Sequence, residues 1–303
     1  MKIFIDRHHS GLAASFIYLL EKRLGHEVYF PTGMDWFYKG YWKIAEPYND
    51  AIETVKQFLE TGNIPLDGTQ PLGDIVDRGP LYYTIHDNSN NVDLKCITYE
   101  QFMDMDIDVI IATIPAHIYA YKKLIHDTGS RAKLVYQIGN IGWHKDIPWN
   151  DIDNVMASVA PFPIEGNKNV VYYRQEFDTE VFKPSEENPH NFITSLVNLL
   201  PDPLKFRDLQ QELPDFIFRS YGIACTNGIC QTTKDIATKM RESIFGYHYK
   251  PYGDGYGHII HNWFACGVPL LVGMNDYKDK MAGELLEDGV TCIDIPNRSS
   301  SEI

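Results

Sequence analysis

MKIFIDRHHSGLAASFIYLLEKRLGHEVYFP, Met1 to Pro31, decides the fold class in one reading. Met1 to Phe4 is an apolar run of strand length, and Asp6 to Gly11 is polar. Leu12, Phe16, Leu19, Leu20 and Leu24 then recur at helical spacing until Gly25 supplies a C-terminal stop. His26 to Phe30 is a second apolar run, ended by Pro31. Strand, helix and strand in so short a span form a βαβ unit, which implies a parallel sheet with its ligand side at the carboxyl ends of the strands.

Outward from that unit the alternation continues. The aromatic run from Met34 to Tyr48, with Trp36, Phe37, Tyr38, Tyr41, Trp42 and Tyr48, reads either as an insertion over a cleft or as a satellite core. Ala51 to Leu59 has a helical pattern, and the glycines and prolines of residues 62–80 read as loop. Strands are expected at Leu94 to Thr98, Val109 to Ala112, Leu134 to Ile138, Val155 to Val159 and Val170 to Tyr173, with a helix from Ala116 to His126. Gln175 to Pro189 is charged, carries two prolines and reads as a domain connection. In the second α/β unit, helices are expected over Asn191 to Leu200, Thr232 to Ile244 and Tyr277 to Glu287. Strands are expected over Asp215 to Arg219, Pro269 to Val272 and Val290 to Ile295. The expected domains are residues 1–175 and 176–303.

A chain of 303 residues suits two domains of about 150 each. With 44% apolar and 22% charged residues, the composition is that of a folded soluble protein, not a disordered one. A net charge of -14 argues against a broad, sequence-blind grip on nucleic acid, while leaving room for a local basic cleft. The cysteines, Cys96, Cys225, Cys230, Cys266 and Cys292, are odd in number and uneven in spacing. Four residues separate Cys225 from Cys230, which matches neither a CxxC redox pair nor half of a closed zinc site, so ordinary buried thiols in a reducing compartment are expected. The apolar opening before Asp6 is too short for a signal peptide or a membrane span, which makes the cytoplasm the expected location.

The stretch with the most chemistry is Tyr249 to Gly273, YKPYGDGYGHIIHNWFACGVPLLVG. Tyr247 and Tyr249 flank a short strand or edge that Pro251 stops. Gly253, Gly255 and Gly257 permit positive φ or close backbone approach to a ligand. A helix starting near His258 offers free N–H groups at its amino end, an anion seat that needs no lysine. The pattern is not GxxxxGK[ST], and GDGYG is not a GxGxxG following a first strand. His258, His261 and Asn262 can share one helical face, which leaves three readings: ligand-facing side chains, a metal pair, or hydrogen bonds within a core. A metal site needs further ligands, and HExxH is absent, so no metal is assigned.

Two other loops are candidates. His8, His9, Ser10 and Gly11 follow the first strand, where α/β sheets place substrates. Either histidine suits acid–base work or hydrogen bonding to phosphate or sugar, and the plainer reading is that one caps the adjoining element. Gly139 to Asp146 offers Asn140, His144, Lys145 and Asp146 beside Trp143, a mixture that suits a sugar or base and also occurs in ordinary loops. No GxSxG elbow and no assignable pair of hydrolase carboxylates is present.

The run DGYGHIIHNWFACGVP, Asp254 to Pro269, resembles the E-G-F-G-x-x-x-x-E-A-x-A-x-G-x-P motif of the two-domain, retaining nucleotide-sugar glycosyltransferases of GT-B fold. Ser10-Gly11 through His26-Glu27-Val28 is similar to the family's first loop, helix and strand start. Glu176 to Pro184 is similar to its crossover segment, and Tyr277 to Ile295 to its penultimate helix and strand. The resemblance implies two Rossmann-like domains with parallel sheets facing across a cleft. Residues 1–175 would be the acceptor side and residues 176–303 the donor side, without the family's final return helix. It also implies that Asp254 lies near the donor sugar and that Gly253, Gly255, Gly257 and the helix start receive the diphosphate. Asn262, where the family carries a carboxylate, would meet the donor ribose. Lys250, Tyr256 and His261 join that donor-binding set, His9 and His258 join Asp254 as catalytic candidates, and Ser10, Gly11, Asn140, His144 and Lys145 fall on the phosphate or acceptor side.

The expected function is transfer of a hexosyl or pentosyl group from a UDP- or GDP-linked sugar, with no cofactor. Retention and metal independence come from the resemblance alone. The acceptor is open among a glycan, a small molecule and a modified DNA base. The rivals are a GT-B-like epimerase or phosphorylase and a noncatalytic nucleotide-sugar binding protein. Transfer needs a separate acceptor, phosphorolysis needs free phosphate, and epimerisation needs neither.

Overall fold

The first parallel pair joins β1 (Lys2–Ile5) to β2 (Glu27–Pro31), with Ile3 opposite Val28. The computed structural model describes residues 1–6, 10–31, 75–79, 81–87, 90–113, 115–139, 147–159, 162–197, 203–250, 256–278 and 280–297. Between the first two strands, α1 (Ser10–Phe16) runs directly into a π-helical segment, Ile17–Arg23. Gly25 ends it at φ +70°, and the next N–H, from His26, reaches back 2.9 Å to the carbonyl of Leu20. The chain divides into two compact units, Met1–Ala157 with Phe162–Glu176, and Ser158–Pro161 with Phe177–Ile303.

Unit 1 continues with β3 (Ile75–Asp77), β4 (Tyr83–Asp87), β5 (Val92–Ile97), α2 (Tyr99–Met103), β6 (Val109–Ala112), α3 (Pro115–Thr128), β7 (Lys133–Ile138), β8 (Asn154–Ala157) and β9 (Asn169–Tyr172). Their order across the sheet is β3-β4-β5-β2-β1-β6-β7-β8-β9. From β5 to β9 the strands are parallel, and β3 and β4 pair antiparallel at one edge. Ile3, Ile5, Phe16, Val28, Phe30 and Ile111 pack into one core, and the buried Ile118, Tyr121 and Leu124 belong to α3. Residues 75–77 were expected in a loop. Ile75 and Val76 instead pair antiparallel with Ile85 and Thr84, a strand partner that the composition of residues 62–80 does not reveal. The aromatic run Met34 to Tyr48 and the helix expected over Ala51 to Leu59 lie outside the described residues.

Unit 2 contains β10 (His190–Leu196), α4 (Pro203–Glu212), β11 (Ile217–Tyr221), α5 (Thr233–Arg241), β12 (Ser243–His248), α6 (His258–Ala265), β13 (Leu270–Val272) and β14 (Cys292–Asp294). All five strands are parallel in the order β11-β10-β12-β13-β14, a doubly wound sheet whose strand order reverses at the β10–β12 pair. Each face has its own core: Trp263, Ile260, Leu270 and Val272 on one side, Ile193, Phe206, Tyr247 and Leu271 on the other.

Three expectations for this unit are corrected. The helix expected over Asn191 to Leu200 is replaced from His190 to Leu196 by β10, which pairs with a strand on each side. Ile193, Thr194 and Ser195 are buried there, and Ser243 donates to the Thr194 hydroxyl at 2.7 Å. The helix expected over Thr232 to Ile244 ends at Arg241, and Ser243–His248 forms an interior strand, not an edge. Tyr277 to Glu287 is not α-helical. Lys280, Gly283 and Leu286 donate to Tyr277, Lys280 and Gly283 at 3.0, 2.9 and 3.1 Å, tight i to i+3 turns that bring Gly283 against the Tyr277 carbonyl.

All five cysteines are free, with Cys96, Cys266 and Cys292 buried. Burial pushes the Cys266 thiol up to about 11 and raises Cys230 and Cys292 as well. These are packing thiols and poor nucleophiles at neutral pH. Among the described residues no helix is long and apolar enough to cross a membrane.

Candidate functional site

Two glycines seat α6. At Gly246 of β12 an added Cβ would lie 2.6 Å from Leu270 and 2.7 Å from the Trp263 ring, so the buried Trp263 rests directly on the strand backbone. Gly257, which caps α6, has φ 83° and ψ 35°, and a Cβ there would collide with that of Ala282. Both the left-handed backbone and the close approach demand glycine at this cap.

The first turn of α6 is braced by His261. Its Nδ1–H donates to the Gly257 carbonyl at 3.1 Å, which leaves Nε2 to accept from the Tyr256 hydroxyl at 3.2 Å. The two rings also stack, with centroids 4.6 Å apart and planes 12° from parallel. His258 opens the helix between the rings of Phe177 and Tyr256, at 6.0 and 6.3 Å. Asn262 is 8% exposed, and its buried Oδ1 has no hydrogen-bond partner. An orphaned buried acceptor costs about 1–3 kcal/mol, so its retention calls for an explanation.

Around this helix start lie the ends of β12 and β13. His248 is buried, with its ring 6.0 Å from that of Tyr277, and Tyr249 and Lys250 continue past it. Gly273 leaves β13 so tightly that a Cβ would sit 2.6 Å from the Asp276 carboxylate and 3.2 Å from the Tyr249 ring. Burial raises the Asp276 carboxyl, and Lys280 pulls it back. A cavity of about 370 Å³ lies elsewhere, at the amino ends of β12 and β13 where Ser243 and Pro269 line it, and is not part of this site.

Of the donor-side candidates, Lys250, Tyr256, Gly257, His258, His261 and Asn262 therefore fall together in unit 2. Ser10 and Gly11 open α1 in unit 1. His9, Asn140, His144, Lys145, Gly253, Asp254 and Gly255 lie outside the described residues. Among the described residues, no group of three or more His, Cys, Asp or Glu side chains is arranged to hold a metal ion.

Unit 1 has a polar centre that sequence reading missed. Asp6, immediately after β1, is 2% exposed. It accepts the Thr113 N–H at 2.9 Å, the Thr113 hydroxyl, and His117 Nδ1 at 2.9 Å. Thr113 follows β6 and His117 lies in the first turn of α3. The hydroxyl of the buried Tyr136, on β7, is held protonated far above its ordinary range by burial and by the charge of Asp6. The only sequence signal was positional: a polar residue directly following each of two apolar strands.

These two sheets and their strand orders define a class, the GT-B glycosyltransferase fold. The chain is similar to HepE of Anabaena in complex with UDP and glucose, at 14% identity and a TM-score of 0.53, covering 96% of this chain and 84% of that one. It is also similar to the pneumococcal O-GlcNAc transferase GtfA in complex with UDP and GlcNAc, at 10% identity and 0.52, covering 95% and 86%. Sucrose-phosphate synthase from Thermosynechococcus elongatus matches at 10% identity and 0.52, covering 90% and 81%. At such identities the likeness is one of fold. No protein-family model and no curated protein sequence matches the chain.

Proposed function

We propose that the protein is a glycosyltransferase that moves a hexosyl or pentosyl group from a UDP- or GDP-linked sugar, held by residues 176–303, to an acceptor held by residues 1–175. The observation that carries this reading is the orphaned Oδ1 of Asn262, one turn inside a helix whose amino end is capped by left-handed Gly257. In the proposed complex a ribose hydroxyl donates to that oxygen, and the first-turn N–H groups of α6 receive the diphosphate. Lys250 and the Gly253 to Gly257 loop add to the anion seat, so that charge developing on the leaving diphosphate meets donors already oriented. Asp254, the first acidic position of the family's motif, is assigned to the transferring sugar, and His258 and His9 stay the other catalytic candidates. His261, whose two ring nitrogens serve Gly257 and Tyr256, acts as a positioning residue. Retention without a metal follows the resemblance and is checked by the anomer of the product and by activity in chelator. The five free cysteines support a reducing compartment, the cytoplasm.

Fold neighbours bound to UDP support UDP as the first donor to try. Calorimetric titration with UDP and GDP, followed by mass spectrometry of nucleotide sugars with and without glycan, small-molecule and modified-DNA acceptors, tests the reading. Absence of binding to both nucleotides would sink it. Asp254→Asn is expected to lower turnover about tenfold or more through loss of a charge-assisted contact, and unchanged kinetics would remove Asp254 from the catalytic set. Asn262, in place of a carboxylate, favours one alternative, a noncatalytic nucleotide-sugar binder. Donor binding without any product across the acceptor panel would select it.

A further inference from the structure

We propose that unit 2 carries a second ligand site, at the amino ends of its strands, which takes a phosphate monoester: the phosphate lies on Arg241 and Lys234, and a small apolar body fills the adjoining cavity. The site is separate from the proposed donor seat, which lies toward the opposite, carboxyl ends of the same strands.

Two cavities meet there. One, of about 430 Å³, is lined by Lys183, Lys234, Thr238 and Arg241, and the other, of about 370 Å³, by Ile244, Phe245, Val268 and Pro269. Pro184, Ser185 and Arg241 line both, so the guanidinium stands at the junction. Cavities of this size hold small molecules. Each has one carboxylate among its described lining residues, Glu180 in the first and Glu187 in the second. Three cations outweigh Glu180, whereas Glu187 repels an anion from the apolar cavity, so the charged head belongs in the first and the apolar body in the second.

The cations of this wall are unspent. Lys234, Thr238 and Arg241 are i, i+4 and i+7 on α5 and form one stripe. The helix's other stripe neutralises itself, because Glu242 pairs with Lys239 at 2.9 Å and with Arg219 at 3.5 Å. Lys183 shares its charge with Glu180 at 3.1 Å. Among the described residues Lys234 and Arg241 make no ion pair. Arg241 is half-buried, and its partners are neutral: it donates to the Val181 carbonyl at 2.8 Å and to the Thr238 hydroxyl at 3.4 Å, and it reaches the Cys266 thiol. A guanidinium has five N–H donors, so these contacts orient the cation without cancelling it. Both α5 and α6 end at these cavities, and bare carbonyls there would repel an anion. They are covered instead: Thr238 accepts from Glu242 N–H at 3.0 Å, Trp263 from Val268 at 3.1 Å and Phe264 from Gly267 at 2.9 Å. In a chain of net charge -14, a half-buried arginine with no carboxylate partner, facing a cavity beside a second unpaired cation, is a seat for an anion.

Calorimetry on the full chain with phenyl phosphate, inorganic phosphate and phenol, each with and without UDP, tests the site. Phenyl phosphate should bind about tenfold or more tighter than inorganic phosphate because its ring buries apolar area. Phenol should give no saturable heat, and UDP should not displace phenyl phosphate. Arg241→Met should weaken phenyl phosphate about tenfold or more through loss of charge-assisted bonds. Lys234→Glu, on an exposed side chain, should weaken it about tenfold by setting a like charge beside the phosphate. If Arg241→Met fails to fold, Lys234→Glu decides. Silence toward phenyl phosphate, equal affinity for inorganic phosphate, displacement by UDP, or binding unchanged in Lys234→Glu overturns the proposal. Phenyl phosphate binding without UDP or GDP binding sinks the transferase reading and leaves this site standing, and the reverse result sinks this site alone.

Discussion

At the residue scale, the two polar groups that matter most behave oppositely. Asn262 holds a buried oxygen that makes no hydrogen bond in the free protein. Replacing such a group by an apolar one of similar size removes a desolvation penalty and breaks no bond. Asn262→Leu should therefore keep or raise the thermal midpoint while weakening UDP binding about tenfold, near 1.4 kcal/mol. A lowered midpoint with unchanged UDP affinity would make Asn262 a structural residue. Tyr136 is instead a stability group with a pH signature. Its raised folded-state value means that its contribution is complete below the unfolded value of about 10 and is lost as pH rises above it. Between pH 10 and 12, urea denaturation of Tyr136→Phe should lose stability less steeply than wild type, by about 1.4 kcal/mol per pH unit. Parallel slopes would mean that Tyr136 ionises as readily folded as unfolded.

At the element scale, the sequence was most readable where one element settles its own partner. The βαβ opening and the strand over Val109 to Ala112 were legible because apolar runs of strand length alternate with polar loops or helical periodicity. β10 was not, because NFITSLVNLL satisfies both periods, and only strands on either side decide between them. α6 was legible in outline, whereas its depth was hidden in Gly246, which looks in sequence like any strand glycine. Filling that space should push Trp263 and Leu270 from β12, each less than 3 Å from a new Cβ. Gly246→Ala is expected to lose about 1–3 kcal/mol by overpacking and to weaken UDP binding with it. An unchanged urea midpoint would show that α6 can lift off the sheet without loss.

At the scale of the whole molecule, the candidate site was legible in unit 2 and almost illegible in unit 1, for a physical reason. Tyr256, Gly257, His258, His261 and Asn262 sit on one turn and one helix, so a single stretch of sequence displays them together. Asp6 and His117 are 111 residues apart and meet only because β1 and β6 are adjacent in the sheet. The proposed roles of the two units predict different responses to ligand. A nucleotide that binds only the folded protein at a hundred times its dissociation constant adds about 2.7 kcal/mol to stability. If the donor seat is α6 and the turns around it, UDP should slow amide exchange in peptides covering residues 243–248 and 256–286. Peptides from β8 and β9, far along the other sheet from Asp6, should exchange at their free rate. Protection confined to unit 1 would reverse the assignment of donor and acceptor sides.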